Sequence, residues 1–163
     1  MSYEAILNRH RVRHYTDEEI PDEILEKICR AGLAAPSAMN TRTWTFVVVK
    51  DPDLLLELSS YRKYWKVLQK AKAAIIVAGQ KDEYFSQNCA AATQNILLAA
   101  SALGLGSVWL SLYPNEEPMD RIKNRLHLEE NLTAFSVVAL GYPEEGAPYR
   151  ERTYEEDKII FYR

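Results

Sequence analysis

The 163-residue sequence has few of the residues that build metal centres or disulfide frameworks, with two cysteines and three histidines. Cys29 and Cys89 lie far apart, form no CxxC pair and have no metal-ligand spacing to a histidine. We therefore interpret both as reduced thiols of the core and predict no metal site. The motifs GxSxG, HExxH and GxxxxGK(S/T) are also missing, so neither hydrolytic nor metal chemistry has an obvious carrier.

An excess of charge of one sign and a long apolar run are missing as well. The formal net charge of −3 weakens any interpretation as a nucleic-acid or membrane-surface binder. No apolar run reaches the ~20 residues that a membrane span needs, and the first charges follow a short apolar patch, the wrong order for a secretory signal. We therefore expect a cytoplasmic protein. The length and the 47% hydrophobic content predict a single domain, residues 1–163.

Hydrophobic periodicity, prolines and glycines divide the chain into helices and short strands. The predicted helices span about 3–8, 22–33, 52–60, 82–103 and 116–127, and the predicted strands span 45–49, 73–78, 107–110 and 134–140. Asp22 is the expected N-cap of the second helix, and the nearly all-apolar strand 45–49 is typical of a strand covered on both faces. Short buried strands separated by helices indicate an α+β or α/β sandwich.

Two segments suggest a second subunit. The centre of the long helix, residues 90–100, is small or apolar almost all round, which is typical of a helix buried on more than one side. In a chain of this size, a subunit interface explains such burial most easily. The tail 142–163 is rich in charge and tyrosine and ends in the strand-like residues 159–162, so we expect it to lie against a partner.

Four segments could carry chemistry, and each has an ordinary structural alternative. The alternating Arg9, Arg11 and Arg13 would share one side of an extended segment and could donate to a phosphate, or they could form a solvated basic loop. The loop 35–41 offers short hydrogen-bonding side chains to a ligand or is an ordinary turn. Residues 104–107 place glycines between helix and strand, the reverse of the dinucleotide fingerprint, with Gly104 as a helix C-cap.

The fourth segment is the basic pair Arg150 and Arg152, which by itself indicates a solvated loop. Taken in order along the chain, however, the four segments resemble the nitroreductase family from about residue 3 to residue 163. The matching residues are Ile6, Arg9, His10, Arg13 and Tyr15; Ala35, Pro36, Ser37, Asn40, Trp44 and the strand 46–49; Gln94, Asn95, 97–100, 104–107, Trp109 and Leu110; and 140–143 with Arg152.

The resemblance implies an α+β fold: a three-layer sandwich with a central, mostly antiparallel sheet flanked by helices. It also implies a homodimer with FMN at the interface and a C-terminal tail extending onto the partner subunit. Family precedent assigns the flavin phosphate to Arg9, His10 and Arg11, and the N1/O2 edge of the ring to Arg13. It assigns Pro36, Ser37 and Asn40 to the flavin from the other subunit, Leu110, Ser111 and Leu112 to the N5 side, and Arg150 and Arg152 to the phosphate.

The activity that the resemblance implies is that of an FMN-dependent NAD(P)H oxidoreductase. NADH or NADPH would pass hydride to the flavin and leave, and a nitroaromatic, a quinone or a related small electrophile would then accept it, a ping-pong sequence. No side chain has a certain catalytic role, but the permanently charged Arg13 would stabilise the reduced flavin.

Three departures from the family pattern leave the reaction open. Arg11 stands where a small serine is usual, Arg42-Thr43 replaces Gln-Pro, and Ser111-Leu112 replaces a glycine-rich pair. The same fold could therefore serve another flavin reaction, namely flavin fragmentation, enone reduction or dehalogenation. The chain could also be a non-catalytic flavin-binding sensor or interaction protein.

Overall fold

A computed structural model describes residues 3–147 and 153–163 of the chain. The α-helices are α1 (Tyr3–Asn8), α2 (Asp22–Leu33), α3 (Pro52–Ser59), α4 (Phe85–Ala102) and α5 (Glu116–Arg125). The strands are β1 (Trp44–Val49), β2 (Ala73–Gln80), β3 (Gly106–Ser111) and β4 (Leu132–Gly141). Short 3-10 helices cover Ala38–Asn40, Lys63–Gln69 and Glu156–Lys158.

The four strands form one sheet in the order β1-β2-β4-β3, and all three pairings are antiparallel. The central strands β2 and β4 are buried along almost their whole length, because other elements cover both faces of the sheet there. The strand β1 lies at an edge, and it exposes Thr45 and Val48. The prediction that this strand is covered on both faces is therefore wrong, because its apolar composition does not reveal its edge position.

Helices cover the sheet in layers. The helix α4 packs against β2, β3 and β4, and α2 packs on α4. The helix α5 packs against β4, and Leu58 of α3, Leu68 of the second 3-10 helix and Ile122 of α5 are buried in the same core. Successive strand residues point to opposite faces, so the burial of β2 and β4 requires a layer on each side. The α+β sandwich is thus as predicted.

The long helix α4 is buried mainly by its own chain. Gln87, Gln94 and Ala102 are exposed, whereas nine of its 18 residues are buried between α2 and the sheet. The apolar centre of the helix consequently does not require a subunit interface. The composition of this helix is therefore no longer an argument for a dimer. The helix ends as expected: Gly104 has a φ of 81°, and the amide of Leu105 donates to the carbonyl of Ala100 at 2.8 Å.

Several local predictions fail for identifiable reasons. Asp22 is the first residue of α2 and not its N-cap, which is Pro21 without a side-chain hydrogen bond. Instead, the carboxylate of Asp22 accepts from Lys50 Nζ at 2.7 Å. Residues 159–162 likewise form no strand with the described residues of their own chain, and their packing against a partner subunit stays a prediction. Among the described residues, no helix is long and apolar enough to cross a membrane.

Candidate functional site

The basic segment at residues 9–14 is fastened to the end of the sheet through Val12. The amide of Val12 donates to the carbonyl of Ser107 at 2.9 Å, and its side chain is buried. Gly106 lets the segment approach this closely, since a Cβ on Gly106 would lie 2.7 Å from Val12 Cβ. Because neighbours in an extended segment point in opposite directions, the burial of Val12 directs Arg11 and Arg13 to the exposed side.

Tyr15, three residues after Val12, holds the end of the same segment. Its buried hydroxyl shares its single proton between the carbonyl of Val12, at 2.8 Å, and the more distant carbonyl of Ala139, at 3.3 Å. Burial raises the pKa of Tyr15 well above its ordinary value, so the hydroxyl stays a neutral donor. A Cβ on Gly141 would lie 2.5 Å from the ring of Tyr15, which shows how tightly the ring packs against β4.

Two guanidinium groups tie this segment and the end of β3 to the turn that follows α3. Arg13 Nη1 donates to the carbonyl of Tyr64 at 3.3 Å, and Arg62 Nη1 donates to the carbonyl of Ser111 at 3.1 Å. Arg13 and Ser111, two predicted site residues, therefore both contact the short segment 62–64. Arg62 was not predicted, because a contact across 49 residues leaves no signal in local spacing.

The predicted ring-facing residues divide into one exposed and two buried side chains. Ser111 is exposed, whereas Leu110 and Leu112 are 3% and 0% exposed, respectively, and belong to the core. A ligand at the end of β3 would therefore meet the side chain of Ser111 and only the backbone of the two leucines. The predicted contacts of these three residues with a flavin stay predictions.

The loop with Pro36, Ser37 and Asn40 has backbone dihedral angles that are rare for non-glycine residues, and several hydrogen bonds stabilise it. Met39, Asn40 and Arg42 have φ values of 50°, 55° and 49°, in the left-handed region that non-glycine residues rarely adopt. The buried Asn88 accepts from the amide of Ala38 at 2.8 Å.

Two further bonds close the same loop. Ser37 Oγ accepts from the amide of Arg42 at 3.0 Å, and the guanidinium of Arg42 donates to the carbonyl of Leu33 at 2.8 Å. Arg42, one of the departures from the family pattern, thus serves to anchor the loop to the end of α2. Pro36 and Asn40 are exposed, and Ser37 is half-buried.

The loop and the basic segment do not belong to the same edge of the sheet. The loop leads into β1, whereas Val12 and Ser111 lie at β3, on the opposite edge. Three strand spacings separate the two edges, a distance of roughly 14 Å. This separation is compatible with the expectation that the loop serves a flavin bound to the other subunit, which stays a prediction.

The structure describes some, but not all, of the residues predicted to bind the flavin phosphate. Arg9 and His10 are half-buried, and His10 Nδ1 lies 3.1 Å from the carbonyl oxygen of Asn8. A cavity of about 190 Å³ beside the basic segment is lined by Arg11, Val12, Arg13, His14 and Ala147. The predicted phosphate ligands Arg150 and Arg152 lie outside the described residues.

The two cysteines have the environments expected of thiols, with one difference. Both are free; Cys89 is buried, whereas Cys29 is half-buried. Burial raises the pKa of Cys89 to about 12 and also raises that of Cys29, so neither is poised as a thiolate.

Comparison with known proteins gives the same class from sequence and from structure. The model of a family described as "Putative TM nitroreductase" matches residues 2–161. A protein of Archaeoglobus fulgidus named "Putative NADH dehydrogenase/NAD(P)H nitroreductase" is 43% identical over 152 residues, which cover 90% of this chain and 87% of that protein.

Two solved structures show the same fold. The crystal structure of a "Putative NADH Oxidase" from Clostridium acetobutylicum has a TM-score of 0.91 and 34% identity, covering 98% of this chain and 99% of that one. A nitroreductase with bound FMN from Bacteroides fragilis has a TM-score of 0.82 and 29% identity, covering 98% and 97%, respectively. The fold is thus that of the nitroreductases, and the chain belongs to the nitroreductase family, as its ordered motifs predicted.

Proposed function

We propose that the protein is an FMN-dependent NAD(P)H oxidoreductase that works as a homodimer and reduces nitroaromatics, quinones or related small electrophiles. The observation that carries this proposal is the attachment of the basic segment to the start of β3, at Ser107. Val12 and Tyr15 hold the backbone of the segment, so that Arg11 and Arg13 stay on its exposed side. The arginines are therefore available to an anionic ligand without a large ordering cost.

The donor set fits the chemistry of FMN. A phosphate needs several charge-assisted donors, and we assign it Arg9, His10 and Arg11, with Arg150 and Arg152 from the tail. The polar edge of a ring needs a permanent positive charge, which we assign to Arg13.

The ring also needs walls on the sides away from Arg13. We assign them to the end of β3, namely Leu110, Ser111 and Leu112, and to the loop residues Pro36, Ser37 and Asn40 from the partner subunit.

When bound, FMN supplies the hydride acceptor and donor of the reaction. The side chains of the protein would bind and orient the FMN, and none needs to move a proton. A guanidinium carries a permanent positive charge, so Arg13 would favour negative charge at the ring edge by a fixed electrostatic interaction. The hydrogen bond to the Tyr64 carbonyl restrains the position of that charge.

The proposed dimer is supported by what one chain leaves exposed. Ile6 and Leu7 of α1 are each 48% exposed, and Phe161 and Tyr162 of the tail are 73% and 95% exposed. Burial of such groups on a partner, with the tail extending onto it, would remove apolar surface from water. The single domain over residues 1–163 and the cytoplasmic location stay proposals that rest on the sequence.

Absorbance spectroscopy of the purified protein tests the proposal. We expect a flavin spectrum after FMN is added, one FMN per subunit, and bleaching when NADH or NADPH is added without oxygen. Return of the absorbance on addition of a nitroaromatic or a quinone would complete the ping-pong sequence. Bound FMN that neither nucleotide reduces would favour a non-catalytic flavin sensor.

A further inference from the structure

A second basic surface lies beside the candidate site. Arg62, Lys63 and Lys66 line a cavity of about 370 Å³ together with Leu56, Ser59 and Ser60. We call this surface the basic groove. Its three cations occupy adjacent turns of the second 3-10 helix and the residue before it. Its cations are the donors that a phosphate ester requires, whereas the hydroxyls of Ser59 and Ser60 already donate to the carbonyls of Leu56 and Glu57.

The described cations of the basic groove form no direct ion pair with a carboxylate. No acidic side chain lines the groove, and none of the three cations forms an ion pair with a carboxylate in residues 3–147 and 153–163. The adjoining cavity shares Arg62 and Lys63 with the groove, but Glu116 and Glu117 also line it. An anion is therefore attracted more strongly to the groove, where Lys66 adds a third cation and no carboxylate lines the wall.

The basic groove is braced by the core and by the helices next to it. Trp65 of the 3-10 helix is buried, which fixes the helix that carries the lysines. The hydroxyl of Tyr61 donates to Glu57 Oε1 at 2.8 Å, and Arg125 Nε donates to Glu57 Oε2 at 2.8 Å. The guanidinium of Arg121 also stacks on the Tyr61 ring at 3.7 Å. The backbone that carries the cations is consequently held in place.

Arg62 connects the basic groove to the candidate site. Its guanidinium lines the groove and donates to the carbonyl of Ser111, the residue assigned above to the flavin ring. A ligand with a flat ring near Ser111 and phosphates farther along would pass over Arg62 toward Lys66. Leu56, which is 55% exposed, offers apolar surface to a base at the far end.

We propose that the basic groove binds the phosphate groups of the hydride donor, and that the additional phosphate of NADPH makes it a better donor than NADH. This inference rests on the proposed function, since it needs a nicotinamide nucleotide to react beside Ser111. Exposed lysine–phosphate contacts contribute about threefold to fivefold each in affinity. Loss of Lys63 and Lys66 together should therefore weaken NADPH binding about tenfold.

The test compares the double variant K63Q/K66Q with K70Q and wild type, all loaded with FMN. Lys70 is a suitable control because it lies just after the same 3-10 helix, is exposed and does not line the groove. The donors are NADPH, NADH and 1-benzyl-1,4-dihydronicotinamide, which carries no phosphate. We expect the ratio of kcat/KM for NADPH to that for the benzyl donor to fall about tenfold in K63Q/K66Q and to stay unchanged in K70Q.

A binding measurement without hydride transfer separates the two hypotheses. Calorimetric titration with 2′-phospho-ADP-ribose should give about tenfold weaker binding in K63Q/K66Q than in wild type and K70Q. Equal affinity in all three proteins would overturn the inference, as would an unchanged ratio of donors. If the benzyl donor still reduced the flavin normally, the proposed function would stand and only the groove inference would fail. If the protein bound the nucleotide but took up no FMN, the proposed function would fail instead.

Discussion

Replacement of Tyr15 with phenylalanine tests how the basic segment is held. The hydroxyl of Tyr15 is buried and donates to the carbonyls of Val12 and Ala139, which face each other across the segment and β4. Phenylalanine keeps the ring in its tight contact with Gly141 and removes only this one donor. Both carbonyls would then be left with one hydrogen bond fewer in a site that water does not reach easily.

The expected loss follows from the two distances. The bond of 2.8 Å to Val12 is short and should contribute about 1 kcal/mol net, whereas the bond of 3.3 Å to Ala139 is longer and should contribute less. We therefore expect the free energy of unfolding to fall by about 1–2 kcal/mol, and Tm by about 3–6 °C. Since Val12 carries the arginines on each side of it, FMN should also bind about threefold to tenfold more weakly.

Urea unfolding and FMN titration of Tyr15→Phe measure the two effects separately. Tyr64→Phe is the matched control, because Tyr64 is 73% exposed and its loss of a hydroxyl should change neither quantity. An unfolding midpoint equal to that of wild type would refute the energetic reasoning. Lower stability with unchanged FMN affinity would show that this attachment does not position Arg11 and Arg13.

Three further predictions follow from the same contacts. Arg13→Ala should weaken FMN binding and lower its midpoint potential; an unchanged potential in spectroelectrochemical titration would remove Arg13 from the ring edge. Asn88→Leu should release the amide of Ala38 and weaken FMN binding, while Asn88→Asp, which keeps the acceptor, should retain more affinity in the same titration. Burial raises the pKa of Cys89 to about 12, so the folded state keeps the thiol protonated at pH values where the unfolded state loses the proton. The resulting contribution to the free energy of unfolding is complete below pH 9 and is lost as pH rises toward 12. Cys89→Ala should therefore show a shallower fall in the free energy of unfolding above pH 9, and an unchanged slope in urea titrations would contradict this assignment.

The fold could be predicted where local pattern and burial agree. The apolar runs of β2 and β4 and the glycine after α4 signalled their elements correctly, because a central strand and a helix C-cap each have a distinctive composition. The 3-10 helix Lys63–Gln69 was not predicted, since its buried residues Trp65, Val67 and Leu68 do not follow the helical period. The exposure of β1 also had no signal, because edge position depends on strand order.

The site could be predicted only as a set of segments. The ordered motifs identified the family, and they predict which residues contact a ligand. They could not show that Arg62 reaches Ser111, that Arg42 anchors its loop through Leu33, or that Leu110 and Leu112 point into the core. These facts depend on contacts between distant parts of the chain or on the register of a strand against its neighbour, which the sequence does not display.

The central claim is that this member of the nitroreductase family binds FMN and reduces it with a nicotinamide nucleotide. Anaerobic titration of the FMN-loaded protein with NADPH and with NADH, followed by absorbance, tests the claim most directly. We predict that the nucleotide bleaches the flavin stoichiometrically and that NADPH has a higher kcat/KM than NADH. A purified protein that takes up no FMN, or one whose bound FMN neither nucleotide bleaches, would contradict the account.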